Sequence, residues 1–354
     1  MTISKIDPIR DPRWRALVEG HPDAGIFHTV GWLQALQRTY GFQAVAYTTA
    51  RAGAELEDGI VFCHADSWLT GKRTISLPFS DHCQPLVESV GTLAELLSFI
   101  HLERVRAHQR FAEIRPLFMN SSVSNAVPSI QSAQTYCLHS LDLSGSTEDI
   151  FKRFHKDCIQ RKIRRAEKEN LVYRSGRSQS LLKDFYGLQV RTRRQHGLPP
   201  QPFRWFSNLL DCLGDQLTIH TASKDGLPAA AIMTLEFKKT VTYKYGCSNP
   251  NLNKLGGMPF LFWKAIEEAK ARDANHFDLG RSDSENQGLI DFKDHLGGAR
   301  SALLYYRDAH TQTRPSQAVT VLHHANHIFQ RRILPRLPDR LLTLAGRLMY
   351  KHVG

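Results

Sequence analysis

Phe277-Asp278-Leu279-Gly280-Arg281-Ser282-Asp283, continued by Gly288-Leu289 and then by Phe292-Lys293-Asp294-His295-Leu296-Gly297-Gly298, is the densest chemical segment of this chain. It begins as the end of a buried strand and then sets an arginine, carboxylates, a lysine and paired glycines within 22 residues. Ordinary surface loops rarely collect so many reactive and conformationally special residues, so the segment is expected to form one side of a ligand site.

Upstream, Asn249-Pro250-Asn251-Leu252-Asn253-Lys254-Leu255-Gly256-Gly257-Met258-Pro259 leads into Phe260 to Ala271, where Leu261, Phe262, Ala265, Ile266 and Ala269 make an apolar helical stripe. Pro259 suits the first turn of that helix, where a missing N–H costs nothing. Gly256-Gly257 therefore falls at a helix N-terminus, whose bare amides and dipole can hold a pyrophosphate. A plain tight turn would use the same two glycines.

Further upstream, Leu217 to Ala222, Ala229 to Phe237 and Val241 to Gly246 read as strands of a meander, with Lys224-Asp225-Gly226 as a hairpin turn. The N-terminal half follows a similar order. Val30 to Thr39 reads as a helix, Ala44 to Tyr47, Gly59 to Phe62 and Arg73 to Leu77 as strands, and Thr92 to His108 as a second helix. Ser144-Gly145-Ser146-Thr147 is a polar junction, with Ser146 and Asp149 at capping-box spacing. These signals divide the chain into residues 1–143, 144–310 and a basic helical tail, 311–354.

A chain of 354 residues with 42% hydrophobic content can bury two medium cores. The N-terminus lacks the apolar core of a signal peptide and no 18-residue apolar run occurs, which predicts a cytoplasmic protein. Six cysteines without a C-x-x-C pair predict reduced thiols and no metal set. His323, His324 and His327 contain an i, i+4 pair but no further ligand to complete a metal site. Asp81-His82-Cys83 has the residue types of a thiol nucleophile, yet consecutive residues on an extended segment point to opposite sides.

The net charge of +12 is concentrated in two segments: residues 151–177 hold ten Lys or Arg against three acids, and residues 307–354 eight against two. Local contact with phosphate or an anionic surface fits this distribution better than specific DNA binding. In a helix running on from Phe151, periodicity places Lys162 and Arg165 on the side of the apolar face, as contacts for a phosphate or carboxylate. In the tail, Leu341, Leu344, Ala345 and Leu348 form an apolar stripe flanked by Arg340, Arg347 and Lys351 after Pro335, Pro338 and a capping Asp339. Such a helix either lies on an anionic membrane or docks on its own protein.

The meander ending Tyr243-Lys244-Tyr245-Gly246, the Gly-rich loop, the helix and the strand ending Phe277-Asp278-Leu279-Gly280 together resemble the central part of the GNAT acyltransferase fold. Leu261-x-Trp263-x-Ala265-Ile266-x-x-Ala269, Phe277-Asp278-Leu279-Gly280-Arg281-Ser282 and Gly288-Leu289-x-x-Phe292-Lys293-x-x-x-Gly297 resemble, more narrowly, the FemAB-type and BioF-like acetyltransferases. Weaker supports are Phe27-His28-Thr29-Val30-Gly31-Trp32 and Leu77-Pro78-Phe79-Ser80-Asp81. The resemblance implies an α/β (α+β) protein of two tandem GNAT-like domains, each a mixed, mostly antiparallel sheet flanked by helices.

It also implies transfer of an acyl or aminoacyl group to an amine-bearing sugar or peptide precursor of the cell envelope or an exopolysaccharide. The co-substrate would be an acyl-CoA or aminoacyl-tRNA, with no permanently bound cofactor. Such chemistry needs an aligned neutral amine, donors for the oxyanion and a proton for the leaving group. The candidates are Asp278 and Asp283 as amine orienters or bases, Arg281 and Lys293 as cationic contacts, and Tyr245 as proton donor. Lys254, Gly256, Gly257 and Met258 are the candidate donor-binding residues. The peptidoglycan branch carries a Lys shortly after the first-domain Trp, where this chain has Leu33-Gln34-Ala35-Leu36 after Trp32, and the long coiled-coil arm of some tRNA-dependent members is absent. Both departures favour the acyl-CoA branch. The alternatives are a non-catalytic scaffold of a polysaccharide-synthesis system on the same fold, or an aminoacyl-tRNA-dependent peptidoglycan bridge transferase.

Overall fold

The structure, a computed structural model, describes residues 2–68, 70–309 and 338–352. The histidines at 323, 324 and 327, Pro335 and most of the tail segment lie outside the described residues.

In chain order the first elements are β1 (Ser4–Ile6), α1 (Pro12–Gly20), α2 (Val30–Tyr40), β2 (Gln43–Thr48), β3 (Ile60–Ala65), β4 (Arg73–Ile75), α3 (Val90–Arg106), β5 (Phe111–Ile114), α4 (Ser121–Ala126) and β6 (Ile130–Asp142). There follow α5 (Thr147–Arg153), α6 (Arg161–Lys168), β7 (Val172–Gly176), α7 (Gln179–Gln195), α8 (Phe203–Leu213), β8 (Leu217–Lys224), β9 (Leu227–Phe237), β10 (Thr240–Ser248), α9 (Gly257–Ala271), β11 (His276–Asp283), α10 (Gln287–His295) and β12 (Ala299–Ala309). A C-terminal helix spans Asp339–Met349.

Two compact units result, one of residues up to 136 together with β12 from 302 onward, the other of residues 137–301, the unit boundaries falling inside β6 and β12. In the first unit β1, β2, β3 and β4 are successive antiparallel neighbours, β5 lies parallel to β4 after the α3 crossover, and β12 pairs antiparallel with β5. The second unit repeats these pairings: β7, β8, β9 and β10 are antiparallel, and β11 lies parallel to β10 after the α9 crossover. Strand β6 is the neighbour of β11. This is the tandem mixed-sheet plan expected from the motifs. The boundary differs from the expected 144–310, because the strand that closes the second half in sequence, β12, pairs Tyr306 with Ile114 and Asp308 with Ala112.

Local chemistry explains the elements. The β8–β9 hairpin turns on Asp225 and Gly226, both at positive φ (49° and 77°), the conformation a two-residue type I′ turn needs. Ser89 caps α3 and Ser178 caps α7, each accepting a backbone N–H of its first turn. Ile60, Phe62, Leu96, Ile100 and Ile114 build the first core, while Ile159, Ile163, Leu261, Phe262, Ile266, Phe277 and Leu279 build the second. Each fully buried side chain of this size contributes about 1.5–3 kcal/mol.

Two helical expectations shift. Residues after Phe151 do not form one continuous helix: α5 stops at Arg153, Lys156–Gln160 form a π-helical turn, and α6 starts anew at Arg161. The wider turn changes the phase, so Ile159, Ile163 and Ala166 face inward while Lys162 and Arg165 are exposed. In the C-terminal helix the buried residues are Leu342 and Gly346, whereas Leu341, Leu344 and Leu348 are exposed. A β-carbon on Gly346 would sit 1.9 Å from the Pro200 carbonyl oxygen, so the helix backbone itself, not its leucine stripe, meets that segment.

Candidate active site

Strands β10 and β11 pair over part of their length only. The pairing covers Thr240–Thr242 and His276–Asp278, after which β10 continues to Ser248 against β9 and β11 continues to Asp283. A register shift between Tyr243 and Tyr245 marks a bulge in β10, the device that bends a strand and re-aims its side chains. Met258, in the first turn of α9, lies against Gly246, on the stretch of β10 beyond its pairing with β11.

The α9 N-terminus is built on Gly256, its N-cap at φ 81°, with no side-chain cap bond. Only glycine fits there. A β-carbon would lie 2.2 Å from the Lys162 carbonyl oxygen, and the left-handed backbone disfavours any L side chain. Gly257 is tightly but less severely confined, its β-carbon position being 3.1 Å from the Ala230 β-carbon. Both glycines are buried, so they serve close packing of α9 onto α6 and β9. Pro259 sits at the third helical position, within the first turn. Lys254 is exposed on the preceding 3₁₀ turn, and Met258 is half-buried near Gly246. The structure thus brings the Lys162 backbone to Gly256 while leaving the Lys162 side chain in solvent. Arg165 is exposed as well, with Glu169 3.8 Å away.

On the other side, β11 ends in a built turn. Asp278, 8% exposed, accepts the Gly280 N–H through Oδ1 at 2.8 Å, and Gly280 holds φ 73°. Lys293 on α10 is 1% exposed, and its Nζ donates to the Gly280 and Arg281 carbonyls at 2.7 and 3.0 Å. Its ammonium thus ties α10 to the end of β11, a positioning task not anticipated from the sequence. Arg281 is half-buried and Asp283 exposed, the Asp283 carbonyl accepting the Asn286 N–H. Next to Lys293, buried His139 meets Asp294 at 3.0 Å, and Arg300 pairs with the same carboxylate. Burial pushes the His139 pKa down. For Asp294 burial acts upward, but the hydrogen bonds from Arg300 and His139 outweigh it and hold the carboxyl below its usual range.

Tyr245, in the bulge, accepts a hydrogen bond from the Trp205 indole at 2.9 Å and meets Phe206 edge-on at 5.2 Å between ring centroids. Trp205 and Phe206 escape sequence reading because α8 and β10 are joined only by folding. The Asp81-His82-Cys83 segment carries no nucleophile: Cys83 Sγ lies 3.3 Å from His28 Nε2, and burial pushes the Cys83 thiol up to about 12 and His28 down to about 4.

Residues 153–294 match the acetyltransferase (GNAT) domain family. The fold is similar to that of FemX, with a TM-score of 0.71 at 13% identity over 92% of this chain and 99% of that one. It is also similar to the C-terminal domain of a putative lysylphosphatidylglycerol synthetase from Agrobacterium fabrum, with a TM-score of 0.54 at 14% identity over 90% and 95% of the two chains. A tandem GNAT protein from the clavulanic acid biosynthesis pathway gives 0.56 at 9% identity over 88% and 100%. No curated protein matches the sequence. The matched residues lie within the second unit, which thus carries a GNAT-type domain. The whole chain shares its fold with FemX and with that tandem GNAT protein.

Proposed function

We propose that the chain transfers an acyl or aminoacyl group from an acyl-CoA-type donor to an amine on a cell-envelope or exopolysaccharide precursor. The parting of β10 from β11 carries this reading, because it leaves strand edges and the uncapped start of α9 facing one opening inside the matched domain. Main-chain groups there can hold an extended thioester donor, and the α9 dipole favours its phosphates. Lys254 and the Met258 turn form the donor side. The β11 turn, with Arg281 and Asp283, forms the acceptor side, held in place by Lys293. Tyr245, oriented by Trp205, is the candidate proton donor to the leaving group.

Aminoacyl-tRNA as donor is the second reading, supported by the exposed cations Lys162, Arg164, Arg165 and Lys168 on α6. Binding of acetyl-CoA, longer acyl-CoAs and charged tRNA to the full chain separates the two. Binding of none of them would favour the non-catalytic scaffold.

Among the described residues no helix is long and apolar enough to cross a membrane. The exposed Leu341, Leu344 and Leu348, with exposed Arg340 and Arg347, form a basic amphipathic face suited to an anionic lipid surface and hence to a lipid-linked acceptor.

A further inference from the structure

Away from the β10–β11 opening, His155, Cys158 and His295 come together from two distant segments, their ligand atoms all within 4.8 Å of one another. The two imidazole centroids are 4.6 Å apart, and the His155 N–H donates to the His295 carbonyl at 2.8 Å, which ties the segments at the backbone. His155 Nδ1 accepts the Asp157 and Cys158 amides, both at 3.2 Å, and so curls the chain until the thiol returns beside the ring. His155 is exposed and the other two are half-buried, so an ion can reach all three from solvent.

We propose that these residues bind a borderline-soft divalent transition metal of the zinc type, through two imidazoles and a thiolate, with the fourth position taken by water. Two nitrogens and a sulfur suit zinc and exclude magnesium or calcium, which require oxygen ligands. Zinc bonds of about 2.0–2.1 Å to nitrogen and about 2.3 Å to sulfur place tetrahedral donors about 3.3–3.6 Å apart, a spacing reached by side-chain rotation. A ring nitrogen has one lone pair. Coordination therefore either takes Nδ1 of His155 from the two amides or uses Nε2 after its proton has moved to Nδ1. In both cases metal and helix cap compete, and the thiol releases its proton. The bound ion would fasten α10, two residues beyond Lys293, to the turn that opens α6, and so brace both sides of the active site without touching substrate.

The full chain, stripped with a chelator and titrated with Co2+, tests this. One equivalent is expected to produce thiolate-to-cobalt absorption that Zn2+ displaces, and Zn2+ is expected to raise the melting temperature. Cys158→Ser and His295→Ala should each abolish the absorption and the melting shift, while the double variant His323→Ala/His327→Ala should keep both. His295→Ala carries the same test if Cys158→Ser fails to fold. Absence of the band at one equivalent, its persistence in Cys158→Ser, or its loss only in the double variant would overturn the proposal.

Discussion

The Lys293 ammonium lies 2.7 Å from the Gly280 carbonyl oxygen, and the lysine that makes this bond is 1% exposed. A charge so deeply buried is tolerated because main-chain carbonyls replace its water. The bond fixes the turn that carries Arg281, so Lys293 acts through the backbone of its neighbours.

Replacing Lys293 by Met should therefore cost both stability and activity. Leaving buried carbonyls short of a donor costs about 1–3 kcal/mol, measurable by denaturant unfolding. Arg281→Ala, at a half-buried position, should change stability by less than about 1 kcal/mol yet lose turnover if it meets phosphate or the oxyanion. Equal stability of Lys293→Met and the parent would show that the bond does not hold the turn.

Gly256→Ala should lower stability by at least about 2 kcal/mol, since left-handed backbone penalises alanine and the new methyl meets the Lys162 carbonyl. Gly41, also at positive φ but with nothing within 4 Å of its β-carbon position, provides the comparison. Gly41→Ala should cost only the backbone term, about 1 kcal/mol. Similar losses at both sites in thermal melts would argue against the close approach.

Acid should weaken the first unit through His28. Its imidazole accepts from the Gly25 N–H at 3.0 Å and faces the Gln84 carbonyl at 2.8 Å, and burial drives its pKa from 6.5 to about 4. The unfolded chain binds a proton there before the native one does. The contribution is thus complete above pH 6.5 and lost as pH falls toward 4, by a total on the order of 3 kcal/mol. Nuclear magnetic resonance of the His28 ring should show no protonation above pH 5; titration near 6.5 would refute this.

The C-terminal helix should bring the protein to vesicles containing anionic lipid. Flotation with such vesicles is expected for the full chain, to be lost in Leu341→Asp/Leu344→Asp, and to weaken as salt screens Arg340 and Arg347. Equal flotation of parent and variant would remove the membrane contact.

Much of the fold was legible because its signals are local. Asp225-Gly226 announced its turn, and the apolar runs of β8 to β10 and the stripe of α9 announced theirs. The motif around Phe277 to Gly298 marked the matched domain correctly. What could not be read depended on register or on distant partners. The π turn at Lys156–Gln160 altered the phase that had assigned Lys162 and Arg165 to the inner side. The return of β12 to β5, the Trp205–Tyr245 bond and the burial of Lys293 arise only once the strands have paired. Gly256-Gly257 was rightly placed at a helix start, but its first task, close packing against Lys162 and Ala230, needed coordinates.

A crystal structure of the full chain with acetyl-CoA tests the central claim most directly. The pyrophosphate is expected at residues 254–258, with the thioester running between β10 and β11 toward Arg281. A pyrophosphate bound elsewhere, or a chain that takes up no acyl-CoA, would contradict it.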